Sequence, residues 1–490
     1  MNIKIKKTVQ FRLIGTKNIA ILINSVEILP TNILKKEEIK HIIKNNSKEK
    51  FFHFNRLSEH IFVCLFSEEC SDIGKHYEEL RTLGDKTVVV ANAEKIEDLV
   101  LDIIGFKSEE ALAFIEGLIL GNYVFDKYKS KKENILKKLF VVSDEITEPK
   151  IKKLQIITDA VYHARNWVNE PGSVLTPVSF AKQITELFSN LHNVKVNVFS
   201  ERKITSLKMN GILTVNKGSI NQPAFIELRY IPEKLKSVAP LVLVGKGVFF
   251  DTGGVNIKHS KDMLHMKCDM AGAASVAATV FALAKLKINI PVVGLLPAVE
   301  NRPGGDAFLP GDIITMMNGK TVEVQNTDAE GRLILADALC YAKKFNPRTV
   351  ISIATLTGSA HATLSHYGFP GMHIKANDDF ELLKKISFEV YERIVEFPMW
   401  EEYNSLLESD VADIKNTGGK YAGAIVAAKF LGEFAEFPFI HLDIAGAGFI
   451  KKREKYKPHG GTGVGVRLFV SFLNKLVQNT KKKINLCESS

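Results

Sequence analysis

Cysteine is scarce in this 490-residue chain: Cys64, Cys70, Cys268, Cys340 and Cys487 are scattered and odd in number. That excludes a disulfide framework and points to a reducing, cytoplasmic setting. No apolar run of the roughly 18 to 20 residues needed for a membrane span stands out, so no membrane association is expected. The first residues, Met-Asn-Ile-Lys-Ile-Lys-Lys, lead into an alternating strand pattern, without the apolar stretch and cleavage site of a signal peptide. Three enzyme signatures are missing as well. Without His-Glu-x-x-His there is no common zinc-protease helix, without Gly-x-Ser-x-Gly no nucleophile elbow, and without a Walker loop no phosphate cradle. The glycines Gly461, Gly463 and Gly465 lack dinucleotide-binding spacing and read as a loop or the start of a helix. No internal repeat or low-complexity segment interrupts the chain.

What is present is ordinary in bulk. Hydrophobic residues make up 46% and charged residues 24%, as in a soluble globular protein. The length suggests two domains. A net charge of +10 admits two explanations. Lysines spread over a solvated surface account for it, and nucleic-acid contact is the alternative. The local excess lies at residues 451–457, with Lys451, Lys452, Arg453, Lys455 and Lys457, and at 481–483. The first run shows no aromatic stacking platform, and neither a helix-turn-helix nor an RNP-type pattern occurs.

Strand and helix patterns alternate along the chain and predict an α/β protein: an N-terminal domain over 1–150, a linker helix over 151–168 and a larger domain over 169–490. In the first domain, residues 19–23, 61–65 and 87–90 read as buried strands. Residues 35–44, 77–83 and 109–123 read as helices, the last with a core-facing stripe of Leu112, Ile115, Ile119 and Leu120. His41, His53, His60 and His76 show no ligand spacing and read as surface or packing residues. In the second domain, helices are expected at 178–187, 270–285 and 337–344. Strands are expected at 195–199, 224–230, 241–244, 291–296, 349–355 and 439–442. Lys246, Asp251, residues 355–358 and residues 443–446 all follow the carboxyl ends of apolar strands, where open α/β sheets bind ligands.

The chemistry is concentrated at residues 326–333, Asn-Thr-Asp-Ala-Glu-Gly-Arg-Leu. Thr327 and Glu330 fit a capping box at the start of a helix. Gly331 tells against that as the whole account, because glycine weakens a first helical turn and marks a backbone that something approaches closely. Singly, Asp251 could be a turn residue, Asp269 an N-cap, and Lys246 and Lys258 solvated. Together Asp251, Asp269, Asp328 and Glu330 make four carboxylates that would repel one another. Divalent ions would relieve that repulsion, and two of them could share carboxylates around a nucleophilic hydroxide.

These segments resemble the leucyl aminopeptidase (cytosol aminopeptidase) family. The match rests on residues 326–333 and extends, in order and spacing, to Val-Gly-Lys-Gly at 244–247, Phe-Asp-Thr-Gly-Gly at 250–254, Lys-Cys-Asp-Met-Ala-Gly-Ala-Ala at 267–274, Glu-Asn-Arg-Pro-Gly-Gly at 300–305, Ala-Thr-Leu-Thr-Gly at 354–358, Asn-Thr-Gly-Gly at 416–419 and His-Leu-Asp-Ile-Ala-Gly at 441–446. It covers the whole second domain and is weak in the first, chiefly over residues 116–128. The resemblance implies a catalytic domain with a mixed central sheet and two divalent metal ions per subunit, manganese or zinc. Lys246, Asp251, Asp269 and Glu330 would bind one ion, and Asp251, Asp328 and Glu330 the other. A lysine ligand must be neutral, which neighbouring cations favour. Lys258 matches the lysine that stabilises the gem-diolate, and Arg332 the residue that holds a bicarbonate general base. Met266, Thr355 and Gly358 match positions lining the pocket for the substrate's first side chain. Peptide substrates, a preference for leucine-like N-terminal residues and a homohexamer are implied too. His259 stands where proline is common, Thr252 where serine is, and Lys420 where arginine is; none removes a ligand. The expected activity is therefore two-metal removal of N-terminal residues from peptides. A two-metal phosphoesterase and a DNA-binding role, beside catalysis or in its place, are the alternatives.

Overall fold

The computed structural model describes residues 3–8, 17–67 and 71–488, with side chains described as far as residue 480. Cys70 and the side chains of Cys487 and of the lysines at 481–483 therefore lie outside the described residues. The chain divides into two compact units, one comprising Met1–Asp159 with Lys452–Pro458, the other Ala160–Lys451 with His459–Ser490. The division falls within the helix Glu148–Asn169.

In the first unit a six-stranded sheet runs in the order Lys4–Thr8, Lys138–Val142, Asp98–Ile104, Ile19–Ile23, His60–Leu65, Phe51–Asn55. All neighbours are parallel except the last pair, an antiparallel hairpin at the edge. Ile21, Leu22 and Ile23 are fully buried, as a strand covered on both faces requires. Residues 87–90, Thr-Val-Val-Val, were expected as a strand and instead lie inside the 21-residue helix Ile73–Ala93. The burial follows the helical period: Leu80, Gly84, Thr87, Val88 and Ala91 face inward, while Val89 is exposed. Asp72 caps this helix by accepting the amides of Gly74 and Lys75. Gly84 and Gly117 let it press on the helix Ser108–Gly121; a Cβ at Gly84 would stand 2.1 Å from the Phe114 carbonyl oxygen. Packing thus overrides β-branched propensity. His53 and His60, read as surface or packing residues without ligand spacing, meet across the hairpin with Nε2 and Nδ1 3.0 Å apart.

The second unit is built on a mixed sheet in the order Ile394–Glu396, Phe369–Ile374, Phe439–Asp443, Thr349–Ala354, Leu241–Gly245, Val292–Asn301, Ala224–Tyr230, Val194–Phe199, with Gly247–Asp251 pairing beside Val292–Asn301. The central strands Phe439–Asp443, Thr349–Ala354, Leu241–Gly245 and Val292–Asn301 are mutually parallel. Their carboxyl ends accordingly open on one edge. The alanine-rich helix Ala271–Leu286 is buried almost throughout its length. Its first turn lies flat on the sheet because Gly272 has no side chain: a Cβ there would be 2.1 Å from the Ile353 carbonyl oxygen. With the short turn before it, this stretch covers 21 residues, Met266–Leu286, and its most apolar 18-residue window has a mean hydropathy of 1.3, enough by length and composition alone to cross a membrane. Of that window, 89% of the residues are buried in the protein, as in a core helix.

A three-stranded sheet, Ile313–Thr315, Thr321–Glu323 and Ile414–Lys415, completes the surroundings of the carboxyl edge. The parallel pairing of its last two strands carries Asn416 up to the loop at 326–330.

Candidate metal centre

Each charged side chain reaches the carboxyl edge for a local reason. Lys246 lies between the strands Leu241–Gly245 and Gly247–Asp251, with its stem buried. Its Nζ is 2.7 Å from Asp269 Oδ2 and 2.9 Å from Glu330 Oε1, and it donates to the Thr355 carbonyl at 3.1 Å. Asp251 ends its strand, and its Oδ1 accepts the Gly253 amide at 2.8 Å and Asn301 Nδ2 at 2.9 Å. Gly253 and Gly254 both have positive φ, +85° and +66°, so the chain turns back sharply. That reversal brings Lys258 over the site, with Nζ 2.7 Å from Asp251 Oδ2 and ion-paired to Asp328 as well. Asp269 follows the short turn Met266–Cys268, and its Oδ1 accepts the Thr355 hydroxyl at 2.8 Å. The N-cap reading of Asp269 does not hold, since Met270 occupies that position.

The capping box read at Thr327 is not formed either. The helix is Gly331–Ala342, its cap residue is Glu330, and no side chain caps it. Thr327 is turned to the Thr-Gly-Gly loop, donating to the Gly253 carbonyl at 2.6 Å and accepting the Asn256 amide at 2.9 Å. Glu330 is thereby free of helix duties and points at Lys246. Gly331 fulfils its expectation: a Cβ there would lie 2.5 Å from Lys246 Cε, so the close approach is that of the lysine stem.

The result is a cluster in which oxygens of Asp251, Asp328 and Glu330 all lie within 4.8 Å of one another. Neither oxygen of Glu330 accepts a well-aligned hydrogen bond, nor does Asp269 Oδ2, although Lys246 is at ion-pair distance. With all four carboxylates ionised against two ammonium groups, two negative charges would be left uncompensated. Burial, followed by Asp251 and Glu330, pushes the Asp328 carboxyl up to about 7. Burial pushes Asp269 well above the usual range, against the pull of Lys246. The lysines respond in the opposite sense. Burial disfavours the Lys246 and Lys258 ammonium ions, yet the carboxylates around them outweigh it and hold both above the ordinary lysine value. Lys246 is thus an ammonium ion here. A neutral amine at Lys246 would require other cations to take over Asp269 and Glu330. Burying ions costs several kcal/mol each even after relaxation, so a cluster with surplus negative charge is not a stabilising device. The donor set fits cations: buried carboxylate oxygens without hydrogen bonds, and one amine.

Arg332 stands beside this cluster, 6% exposed. Its Nη1 donates to the Asn416 carbonyl at 2.7 Å, while its buried Nε has no hydrogen-bond partner. Burial lowers it to about 10, opposed by Glu330 and Asp443, so it stays cationic at neutral pH. A buried fork with an unused N–H fits a small planar anion. Of the expected pocket residues, Thr355 contacts Asp269, Met266 opens the turn leading to it, and Gly358 starts the helix Gly358–Leu364 with open space where a Cβ would be.

Three supports escaped the reading of the sequence. Asn301 Nδ2 bridges Asp251 and the Thr327 carbonyl. Asn416, fully buried, accepts the amides of Gln325 and Asn326 and donates to the Asn326 carbonyl at 2.7 Å. Asp443 accepts the Thr357 hydroxyl at 2.6 Å and the Leu356 amide at 3.1 Å, fixing the loop after Thr349–Ala354. Their segments belonged to the matched motifs, but an amide or a short acid carries no chemical signature until its partner is known.

Residues 162–470 match the catalytic domain of the cytosol aminopeptidase family, and residues 74–132 match its N-terminal domain. The chain belongs to the cytosol aminopeptidase family. Among its relatives, a probable cytosol aminopeptidase of Clostridium perfringens is 39% identical over 412 residues, covering 82% of each chain. One of Aquifex aeolicus is 42% identical over 373 residues, covering 75% of each. Two solved structures share the architecture. A tomato leucine aminopeptidase mutant has a TM-score of 0.83 at 26% identity, covering 96% of each chain. The bottromycin maturation enzyme BotP in complex with Mn has a TM-score of 0.83 at 27% identity, covering 94% of this chain and all of that one. As a cytosol aminopeptidase the protein is a metal-dependent aminopeptidase acting on peptides, and the phosphoesterase alternative gives way. The basic run at 451–457, offered for nucleic acid, is partly engaged within the first unit. Arg453 pairs with Asp85 at 2.5 Å, and the buried Tyr456 phenol donates to Glu78 at 2.7 Å.

Proposed function

We propose that Lys246, Asp251, Asp269 and Glu330 hold one divalent ion and Asp251, Asp328 and Glu330 a second, manganese or zinc. The observation that carries this is the convergence of Asp251, Asp328 and Glu330 within 4.8 Å, with both Glu330 side-chain oxygens lacking hydrogen bonds. When bound, such a pair of ions polarises a scissile carbonyl and supplies an activated water. The chain's own groups do the rest. Lys246 would have to be neutral to serve as a ligand, and Thr355 keeps one oxygen of Asp269 occupied so that the other stays directed inward. Lys258, held over the site by the turn at Gly253 and Gly254, places a positive charge where negative charge develops on the attacked carbonyl oxygen. Arg332 offers its unused Nε to a bicarbonate, which would take up a proton during attack. Met266, Thr355 and Gly358 border the space for the substrate's first side chain; the open space at Gly358 suits a leucine-like group.

The same reading includes a cytoplasmic homohexamer, which rests on the family resemblance, with the relatives' names adding support for the location. The test is hydrolysis of leucyl-anilide and of a phosphate ester by the purified protein, before and after chelation. The reading expects anilide hydrolysis that is lost on chelation and restored by Mn2+ or Zn2+. Phosphate-ester hydrolysis without anilide hydrolysis would overturn it.

A further inference from the structure

We infer that His53, His60 and Glu94 form a second, non-catalytic binding site for a divalent transition-metal ion in the N-terminal unit. The three donors come from three elements. His53 lies on the strand Phe51–Asn55, His60 begins the strand His60–Leu65, and Glu94 is the C-cap of the helix Ile73–Ala93. Antiparallel register sets His60 opposite Asn55 and Phe62 opposite His53, so the two imidazoles share one face on a diagonal. They stack nearly parallel, 11° apart, and His53 also stacks on Phe62 with ring centroids 4.6 Å apart. Both rings are half-buried and held in place by this packing. One ligand atom from each of the three residues lies within 4.8 Å of the other two.

The spacing suits a shared ion. His53 Nε2 and His60 Nδ1 are 3.0 Å apart. Two imidazole nitrogens on one tetrahedral zinc, each at about 2.0–2.1 Å, stand about 3.4 Å apart. Replacing the proton between the rings by an ion therefore needs a shift of only a few tenths of an ångström. The His–His hydrogen bond alone does not require the carboxylate of Glu94. Glu94 supplies the charge a cation needs, and the last carbonyls of its helix add negative partial charge. Two imidazoles and a carboxylate select Zn2+, Ni2+ or Co2+ over Mn2+ or Mg2+. The site thus differs in kind from the carboxylate cluster of the catalytic unit. A bound ion would staple the edge hairpin to the end of the helix.

The test is equilibrium dialysis of the full-length protein against Zn2+ at pH 7.5, followed by elemental analysis, with wild type compared with His60→Ala and with Glu94→Gln. Glu94 is exposed, so its substitution leaves folding intact. The expected result is one fewer zinc per chain in His60→Ala, an affinity for that ion at least about tenfold weaker in Glu94→Gln, and leucyl-anilide turnover unchanged in both. Zinc should also protect His53 and His60 from diethylpyrocarbonate in wild type. Glu330→Ala, which alters only the catalytic cluster, should leave the loss caused by His60→Ala undiminished, so failure of the catalytic assignment is separable. Equal zinc content in wild type, His60→Ala and Glu94→Gln, with no protection of the two histidines, overturns the proposal.

Discussion

At the scale of single residues, the site is a problem of surplus negative charge, and each basic side chain answers part of it. Lys258 pairs with Asp251 and Asp328 at rest and is placed to meet charge that appears only during reaction. Lys258→Ala should therefore lower kcat by about 10² to 10³ with little change in KM. A rise in KM alone, with kcat intact, would contradict that role. Gly331 gives a sharper test of geometry. The added methyl of Gly331→Ala would collide with the Lys246 stem, so the variant should keep its fold by circular dichroism while losing most of its metal affinity. Wild-type metal binding in Gly331→Ala would mean that Lys246 is not needed where it stands. Gly331 also shows what single residues reveal in advance. A glycine in a first helical turn signalled a close approach, but the sequence did not say that a lysine 85 positions upstream was the visitor.

At the scale of elements, the parallel strands of the second unit place the chemistry, and this much was legible from apolar runs ending in charged or small residues. The strands Leu241–Gly245, Thr349–Ala354 and Phe439–Asp443 lie where expected. The strand expected at 87–90 failed because Thr-Val-Val-Val satisfies a buried strand and a buried helical face alike. Gly84 and Gly117, which decide the matter through helix–helix contact, act at a distance along the chain. The pairing of Thr321–Glu323 with Ile414–Lys415 was likewise illegible, since both strands are very short. Yet it delivers Asn416, whose side chain pins residues 325 and 326 and whose carbonyl holds Arg332. Asn416→Ala should loosen the loop carrying Asp328 and Glu330 and weaken metal binding by about 10- to 100-fold, as the loss of an orienting partner does. Titration calorimetry with Mn2+ checks this, and unchanged affinity would show that the loop holds its shape unaided.

At the scale of the whole molecule, the two-unit α/β architecture was legible from length and from the alternation of patterns, and the family from motifs concentrated in the larger unit. The pairing of His53 with His60 was not, because ligand spacing across a hairpin depends on register rather than on sequence separation. The homohexamer is a claim at this scale. Sedimentation equilibrium should give six times the chain mass, and a monomer retaining full activity would contradict it. The central claim is that the shared carboxylates carry the metal-dependent peptidase activity, and Glu330 tests it most directly. It is almost fully buried, lies at the meeting point of both proposed ions, and neither of its carboxylate oxygens accepts a well-aligned hydrogen bond. The measurement is leucyl-anilide turnover by Glu330→Ala in excess Mn2+ or Zn2+, beside a circular dichroism spectrum. The account predicts a folded protein with no detectable turnover; turnover at the wild-type rate would contradict it.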